Sequence, residues 1–294
     1  MGTFSRSVGL VKASWHVLRQ DKELMALPVI ATVASAASTA PFVIGALVAL
    51  SADGSSVPDA ATSATSTQSG MGAAGWLGIA LLFVAYLVGA YVAIFFQSAL
   101  ILAANERMTG GDPTIGSALS AAWANKGRIL GWAMISATVS IVLQALQERA
   151  GFVGRLVVGA VGLAWTLVTL LVLPVLVIEQ VGVKEAFSRS AEAFKRTWGE
   201  NVVGNGGIGL VSFLAGLVVL VVGLPFLVLG LNGSSTLLVV LGVVVLVVGF
   251  IAVAVFSAAL GGVFRTALYR YAMLGEEFGG FTHEQISGAF RSKG

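Results

Sequence analysis

The side chains that carry most catalytic and metal-binding chemistry are scarce in this sequence. It contains no cysteine and two histidines, His16 and His283, near opposite ends of the chain. Without cysteine, disulfides, thiolate nucleophiles and thiolate-ligated metals are excluded. The residues around the histidines show no ligand spacing, and nowhere do a nucleophile, a base and an orienting group stand together. We therefore expect no catalytic, cofactor-binding or metal-binding residues and no enzymatic activity.

Residues 204–209 formally match the G-x-G-x-x-G pattern of dinucleotide-binding sites. The pattern has that meaning only between a strand and a helix of a βαβ unit. Here it follows an amphipathic segment in a chain with 37 glycines, so we interpret it as a chance match. We expect neither a cofactor nor a nucleic-acid partner.

Strongly polar side chains are rare inside the apolar segments. Gln97, Gln144 and Asn205 are the strongly polar ones, and each lies near the end of its segment. Ion-coupled transport normally requires a buried carboxylate, a histidine or a cluster of oxygens near the bilayer midplane. The sequence therefore argues against a proton-coupled or sodium-coupled transporter.

Glu179 directly follows an apolar run that begins at Pro174. It stands at the end of the fourth apolar segment, beside a turn that the proline is expected to kink. Two interpretations remain open: Glu179 contacts a basic residue of the following segment, Lys184 or Arg189, or it is a solvated charge.

Lysine and arginine stand beside tryptophan in three segments, each directly before an apolar run. In each, apolar residues recur at spacings of three and four, which is typical of an amphipathic helix. In the second, Asp112 as N-cap and Pro113 at the first helical position predict the helix start. Such helices either lie in the membrane interface with their apolar face among acyl chains, or pack on the ends of the spans with tryptophan as anchor. The candidate lipid-contacting residues are Trp15, Trp123, Trp198, Lys12, Arg19, Lys126, Arg128, Lys184, Arg189, Lys195 and Arg196.

The elements that carry these residues are predominantly apolar. The chain of 294 residues is 57% hydrophobic and 11% charged, with a mean hydropathy of +0.93, whereas soluble domains carry about 25% charged residues. A bilayer core requires about 20 consecutive apolar residues, so we predict an all-α polytopic membrane protein with six transmembrane helices. The predicted spans are Leu24–Leu50, Gly75–Ala104, Ile129–Leu146, Leu156–Ile178, Val202–Leu231 and Thr236–Phe264.

The few charges predict the orientation in the membrane. All but two of the 17 lysines and arginines, the exceptions being Arg149 and Arg155, lie in the termini and in the second and fourth loops. Because cytoplasmic loops are enriched in lysine and arginine, we expect both termini in the cytoplasm and a multi-pass position in the plasma (inner) membrane.

The chain is predicted to form a single membrane domain of three repeats, each an amphipathic helix followed by a transmembrane hairpin. The repeats cover about 3–104, 112–178 and 182–264, with a mobile external loop at 51–74 and a cytoplasmic tail at 265–294. Each repeat contains an even number of spans, so the repeats run parallel and predict threefold pseudosymmetry about the membrane normal.

Small residues recur four apart on several spans, as in Ala85, Gly89 and Ala93. This spacing permits close approach of helices. The contact is either internal to the bundle or part of a homo-oligomer, and envelope proteins are further candidate partners.

Several segments resemble a family of six-span prokaryotic membrane proteins of undefined function. The resemblance rests on residues 131–139, 164–169, 174–179, 186–190 and 196–205 and is closest over about 109–214. More distantly, the repeated amphipathic helix and hairpin is similar to the membrane domain attached to some glycerophosphodiester phosphodiesterases. The resemblance implies a membrane location and a lipid or envelope context, and it supplies no active site.

The sequence thus favours a non-enzymatic integral membrane protein of the cell envelope. Its basic amphipathic segments would contact membrane lipids, anionic ones in particular, or hold an envelope complex together. The alternative is a transporter or channel for an apolar or amphiphilic solute, which would need a cavity reaching the bilayer midplane.

The predicted orientation can be tested with a reporter inserted near Ser63, in the first loop. We expect alkaline phosphatase fused there to be active and green fluorescent protein to be dark, because the loop is predicted to lie outside the cytoplasm. The opposite pattern would overturn the orientation.

Overall fold

The computed structural model describes residues 22–52, 72–198, 207–233 and 235–275. Every regular element within these ranges is helical, and six of the described helices are long and apolar enough to cross a membrane. The predicted all-α polytopic class is confirmed. The first amphipathic segment, most of the first loop, Asn205 and the tail beyond residue 275 lie outside the described residues.

The helices follow the predicted spans closely. In chain order they are α1 (Lys22–Ala52), α2 (Ala73–Met108), α3 (Ile115–Ala124), α4 (Lys126–Arg149), α5 (Phe152–Thr169), α6 (Val172–Ile178), α7 (Val183–Trp198), α8 (Gly207–Asn232) and α9 (Thr236–Tyr269), which continues in a π-helical turn over Arg270–Leu274.

The fourth span is broken into α5 and α6, a division that the sequence indicated only as a kink. Pro174 has no N–H, and its ring crowds the carbonyl four residues back, which favours a break in the preceding turn. The Leu170 N–H donates to the Leu167 carbonyl at 3.3 Å, and helical bonding resumes where the Val175 N–H donates to the Leu171 carbonyl at 3.1 Å. The break between α5 and α6 therefore lies one turn before the proline.

Helix α3 begins two residues later than predicted. Its N-cap is Thr114, whose side chain accepts a hydrogen bond from the Ser117 N–H at 3.0 Å, while the Ser117 hydroxyl accepts one from the Thr114 N–H at 2.9 Å. This reciprocal capping box satisfies two N–H groups at once. The prediction of Asp112 as the cap was wrong, because its carboxylate instead accepts a hydrogen bond from Arg107 at 3.1 Å.

The last two spans form the predicted hairpin, with a turn closed by the Ser235 N–H donating to the Gly230 carbonyl at 2.9 Å. Glycines let the two helices touch along their length. Gly223 lies against Leu246 and Gly242 against the backbone of Leu227. Close approach of this kind is the usual way in which membrane helices associate.

The three hairpins differ in packing. In α1 and α2, Gly78 lies against Leu50, close to the Ala46 carbonyl. In the middle hairpin, α4 and α5 approach each other along much less of their length, and α5, although described in full, has no buried residue. The threefold pseudosymmetry and the repeat boundaries stay predictions.

The buried core lies at one end of the bundle. Leu100 and Ile101 of α2, Val172 of α6 and Leu260 of α9 are at most 2% exposed and belong to one cluster. We call this the charged end, because α3, α7 and the basic ends of α2, α4 and α9 meet there. Farther along the spans, large apolar side chains such as Phe83 are exposed, as expected of helix surfaces that face lipid.

The glycine contact in the last hairpin predicts a stability difference between two alanine variants of α9. A Cβ on Gly242 would lie 2.7 Å from the Leu227 nitrogen, whereas one on Gly261 would meet nothing within 4 Å. We expect Gly242→Ala to lower the free energy of unfolding by about 1–3 kcal/mol, because backbone cannot yield as a side chain does. Gly261→Ala should be neutral or stabilising by up to about 1 kcal/mol. Thermal unfolding in detergent checks both; equal stabilities would contradict the packing.

Candidate functional site at the charged end

Glu179 joins three helices at the charged end. It directly follows α6, and its side chain is 20% exposed. One carboxylate oxygen, Oε2, accepts a hydrogen bond from Arg189 of α7, and the other, Oε1, accepts one from the Tyr269 hydroxyl of α9 at 3.0 Å. The carboxylate is therefore the common acceptor for α7 and α9 at the end of α6.

Arg189 is shared between two carboxylates. It pairs with Glu179 and donates to Glu185 Oε1 at 2.5 Å. The hydrogen bond to Glu185, followed by that to Glu179, raises the pKa of the Arg189 guanidinium. Of the two basic partners that the sequence offered for Glu179, the structure pairs it with Arg189 and leaves Lys184 exposed.

The turn after Glu179 sets the direction of α7. Gln180 has a φ of 55°, a left-handed conformation that usually falls to glycine at the end of a helix. Farther along α7, the Ser190 hydroxyl donates at 2.5 Å to the carbonyl of Val168, in the last turn of α5. Carbonyls in a last helical turn lack intrahelical donors, so the serine satisfies one where the fourth span breaks.

The apolar face of α7 packs on protein. Ala186, Ser190 and Ala193 are buried, and Phe187 lies beside Trp165 of α5, with ring centres 5.8 Å apart. Trp165 in turn stacks on Trp132 of α4 at 6.1 Å. The packed face of the described part of α7 is therefore centred on residues 186, 190 and 193.

A second set of contacts joins α2 to the end of α9. Arg270 donates to the Asn105 side chain at 2.9 Å, and the Thr266 hydroxyl donates to the Ile101 carbonyl at 3.5 Å. Sequence reasoning missed Tyr269, Arg270 and Asn105. The sequence signal that could have pointed to these contacts is that polar residues directly follow the apolar runs of α2 and α9.

Three basic residues and a tryptophan form a separate surface, which we call the basic edge and define as Trp123, Lys126, Arg128 and Lys184. Arg128 is half-buried, and the other three are exposed. Trp123 is 59% exposed, and the Lys126 ammonium lies 4.5 Å from the centre of its ring. Arg128 donates to the Asn125 side chain at 2.9 Å. Within the described residues, none of the three basic side chains pairs with a carboxylate.

Contact between α4 and α7 brings the basic edge together. A Cβ on Gly131 would lie 3.4 Å from a Val183 methyl, so the start of α7 lies beside the start of α4. Lys184 follows Val183 directly, and Arg128 stands one helical turn before Gly131. The other candidate residues, Lys12, Trp15 and Arg19, and the side chains of Lys195, Arg196 and Trp198 lie outside the described part of the chain.

A cavity of about 430 Å³ lies between α1, α2 and α9. Its walls are mostly small or apolar, and the lining residues lie in the halves of the three helices nearer the charged end. They are Pro28, Ala31, Thr32, Ser35, Ala93, Phe96, Gln97, Leu100, Ala254, Val255 and Ala258.

Metal ligands are not gathered anywhere in the described ranges, which hold no group of three histidine, cysteine, aspartate or glutamate side chains within reach of one ion. Gln144 lies inside the span formed by α4, and its amide nitrogen donates to a carboxylate oxygen of Glu148 at 3.3 Å.

Taken together, the six apolar helices and their charged end define a multi-pass α-helical membrane protein. The chain belongs to a family of unknown function, DUF6159, whose model matches residues 76–280. Comparisons with curated proteins and with solved structures gave no match. The distant similarity to the membrane domain of glycerophosphodiester phosphodiesterases therefore has no support.

The Glu179 carboxylate, which accepts from both Arg189 and Tyr269, predicts an order of stability among three variants. Tyr269→Phe removes one hydrogen bond to Glu179 and should cost about 1 kcal/mol of stability. Glu179→Gln should cost more, because it removes the ion pair with Arg189 and leaves one acceptor oxygen in place of two. Glu185→Gln is the control, since Glu185 is exposed and pairs with Arg189 alone, and exposed pairs contribute little. Thermal unfolding and hydrogen exchange of α7 measure the order; a Glu185 variant as damaging as the Glu179 variant would contradict it.

Proposed function

We propose that this protein is a non-enzymatic integral membrane protein of the cell envelope that engages anionic lipid headgroups through its basic edge. The observation that carries the proposal is the group of three cations beside the ends of membrane spans, Lys126, Arg128 and Lys184, none of which has a carboxylate partner among the described residues. Each lysine or arginine close to an anionic membrane surface contributes about 1 kcal/mol of attraction.

Trp123 supports a position of the basic edge at the level of the headgroups. Exposed tryptophan is enriched at the boundary between hydrocarbon and water, and the ring of Phe95 stands edge-on to it at 6.2 Å. The Lys126 ammonium lies over the Trp123 ring. This contact would hold a positive charge at the level of the lipid phosphates. A cation over a tryptophan face is attracted by the ring quadrupole.

Lipid contact by this mechanism is electrostatic rather than apolar. The apolar side of α7 is covered by protein at Ala186 and Ala193, so the described part of this face does not lie among acyl chains. Arg189 is engaged by Glu179 and Glu185, so its charge is internally compensated. Among the described residues, the proposal assigns lipid contact to the charges of the basic edge, which have no carboxylate partner there.

The proposal assigns the charged end to the cytoplasmic side of the plasma (inner) membrane, where anionic lipids give the surface a negative potential. A role in holding envelope proteins together is compatible with this proposal, because exposed apolar span surfaces can contact other helices as well as lipid.

The alternative function, transport of an apolar or amphiphilic solute, requires a path across the bundle. The cavity between α1, α2 and α9 occupies the half nearer the charged end, so transport stays a prediction.

Lipid selectivity can be tested with two variants that remove equal charge. The double variant Lys126→Gln with Lys184→Gln neutralises part of the basic edge, and Arg149→Gln with Arg155→Gln neutralises the predicted opposite side. Each protein is placed in phosphatidylcholine nanodiscs that contain spin-labelled phosphatidylglycerol.

We expect the first variant to reduce the association constant of the labelled lipid about 30-fold, since the two lost charges together remove about 2 kcal/mol of attraction. The second variant should leave the constant unchanged, and high salt should reduce the difference between them. Unchanged lipid association in the first variant would remove the basis of the proposal.

A further inference from the structure

We propose that the cavity between α1, α2 and α9 binds an uncharged membrane amphiphile: an apolar chain that carries a hydrogen-bonding group, such as a hydroxyl or a carbonyl, which contacts Gln97. The cavity volume of about 430 Å³ lies within the range of about 300–1,000 Å³ typical of small-molecule sites. The inference does not depend on the basic edge.

The lining of the cavity selects against charge. No lysine, arginine, aspartate or glutamate is among the described residues that line it. A charged group placed there would lose its hydration without gaining an opposite charge. The charged headgroup of a phospholipid is therefore excluded from the cavity, whereas an acyl or isoprenoid chain is accommodated.

Two polar side chains open into this apolar space without a hydrogen bond. Within the described residues, neither the Gln97 amide nor the Ser35 hydroxyl has a side-chain partner, whereas the neighbouring Thr32 hydroxyl donates to the Pro28 carbonyl at 2.9 Å. Gln97 precedes Arg107 on α2 by ten residues, which places it about 15 Å deeper along the helix. A polar ligand group beside the amide would gain a hydrogen bond there.

Small side chains create both the space and its opening. Ala93 of α2 and Ala254 and Ala258 of α9 line the cavity and are exposed. They lie well inside their spans, so the opening is at the depth of the hydrocarbon core. A ligand dissolved in the bilayer reaches it laterally, without passing through water.

Photocrosslinking in nanodiscs tests the inference. The probes are a diacylglycerol with a diazirine in one acyl chain and a phosphatidylglycerol with the same chain, which differ in headgroup charge. Labelled peptides are mapped by mass spectrometry. We expect the diacylglycerol label to concentrate on α1, α2 and α9 near the lining residues and the phosphatidylglycerol label to spread over the exposed span surfaces.

Two matched pairs of variants identify the site. Ala254→Phe fills the cavity, while Ala252→Phe adds the same ring to an exposed position of α9 outside the lining. Gln97→Leu removes the polar contact with little change in volume, and Gln144→Leu is its control. We expect Ala254→Phe to abolish the concentrated label and Gln97→Leu to reduce it about fivefold, the change expected for one lost hydrogen bond, with both controls unchanged.

The proposal is overturned if diacylglycerol labels the spans evenly, if phosphatidylglycerol labels the cavity equally, or if Gln97→Leu retains full labelling. Gln97→Leu also keeps the test decisive if the bulkier Ala254→Phe variant fails to fold. Loss of the effect of the basic edge on phosphatidylglycerol association would leave this result intact, since the two experiments use different residues and different probes.

Discussion

The charged end of the bundle is organised around the break in the fourth span, one turn before Pro174. A proline favours such a break because it lacks an N–H and crowds the preceding turn, and the short helix α6 that follows is buried over Val172–Val177. This brings Glu179 to a place where the ends of α7 and α9 can both reach it. A carboxylate there accepts from Arg189 and Tyr269, so a single acidic residue links three helices that also meet in the buried core.

This arrangement divides the basic residues into two functional groups. Arg189 is compensated by carboxylates and Arg270 is bonded to the Asn105 side chain, so these side chains hold helices together. Lys126 and Lys184 have no carboxylate partner among the described residues and stay available to an external anion. In a chain with only 11% charged residues, this division separates the positive charges engaged within the bundle from Lys126 and Lys184. Position in the sequence alone does not determine to which group a basic residue belongs, because Lys184 and Arg189 lie on the same helix.

The sequence predicted the spans well, because about 20 apolar residues in a row have few alternatives to a membrane helix. It could not decide between Lys184 and Arg189 as partner of Glu179, since that choice depends on the left-handed turn at Gln180. The spacing of apolar residues in α7 also could not show whether that face contacts lipid or packs on protein. Both surroundings are apolar and require the same periodicity. The cavity around Gln97 was equally hidden, since it arises from three helices that are distant in sequence.

Polar side chains within the spans differ in what their helix can satisfy. A serine or threonine hydroxyl reaches the carbonyl one turn back, as Ser98 does with Ile94 at 2.8 Å and Thr166 does with Gly162 at 2.9 Å. Such back-bonding satisfies the donor inside the same helix and needs no neighbour. A glutamine amide has two donors and an acceptor, which a regular helix does not supply with partners. Gln97 therefore differs in kind from the hydroxyls of Ser98 and Thr166: a partner for its amide has to come from outside its own helix.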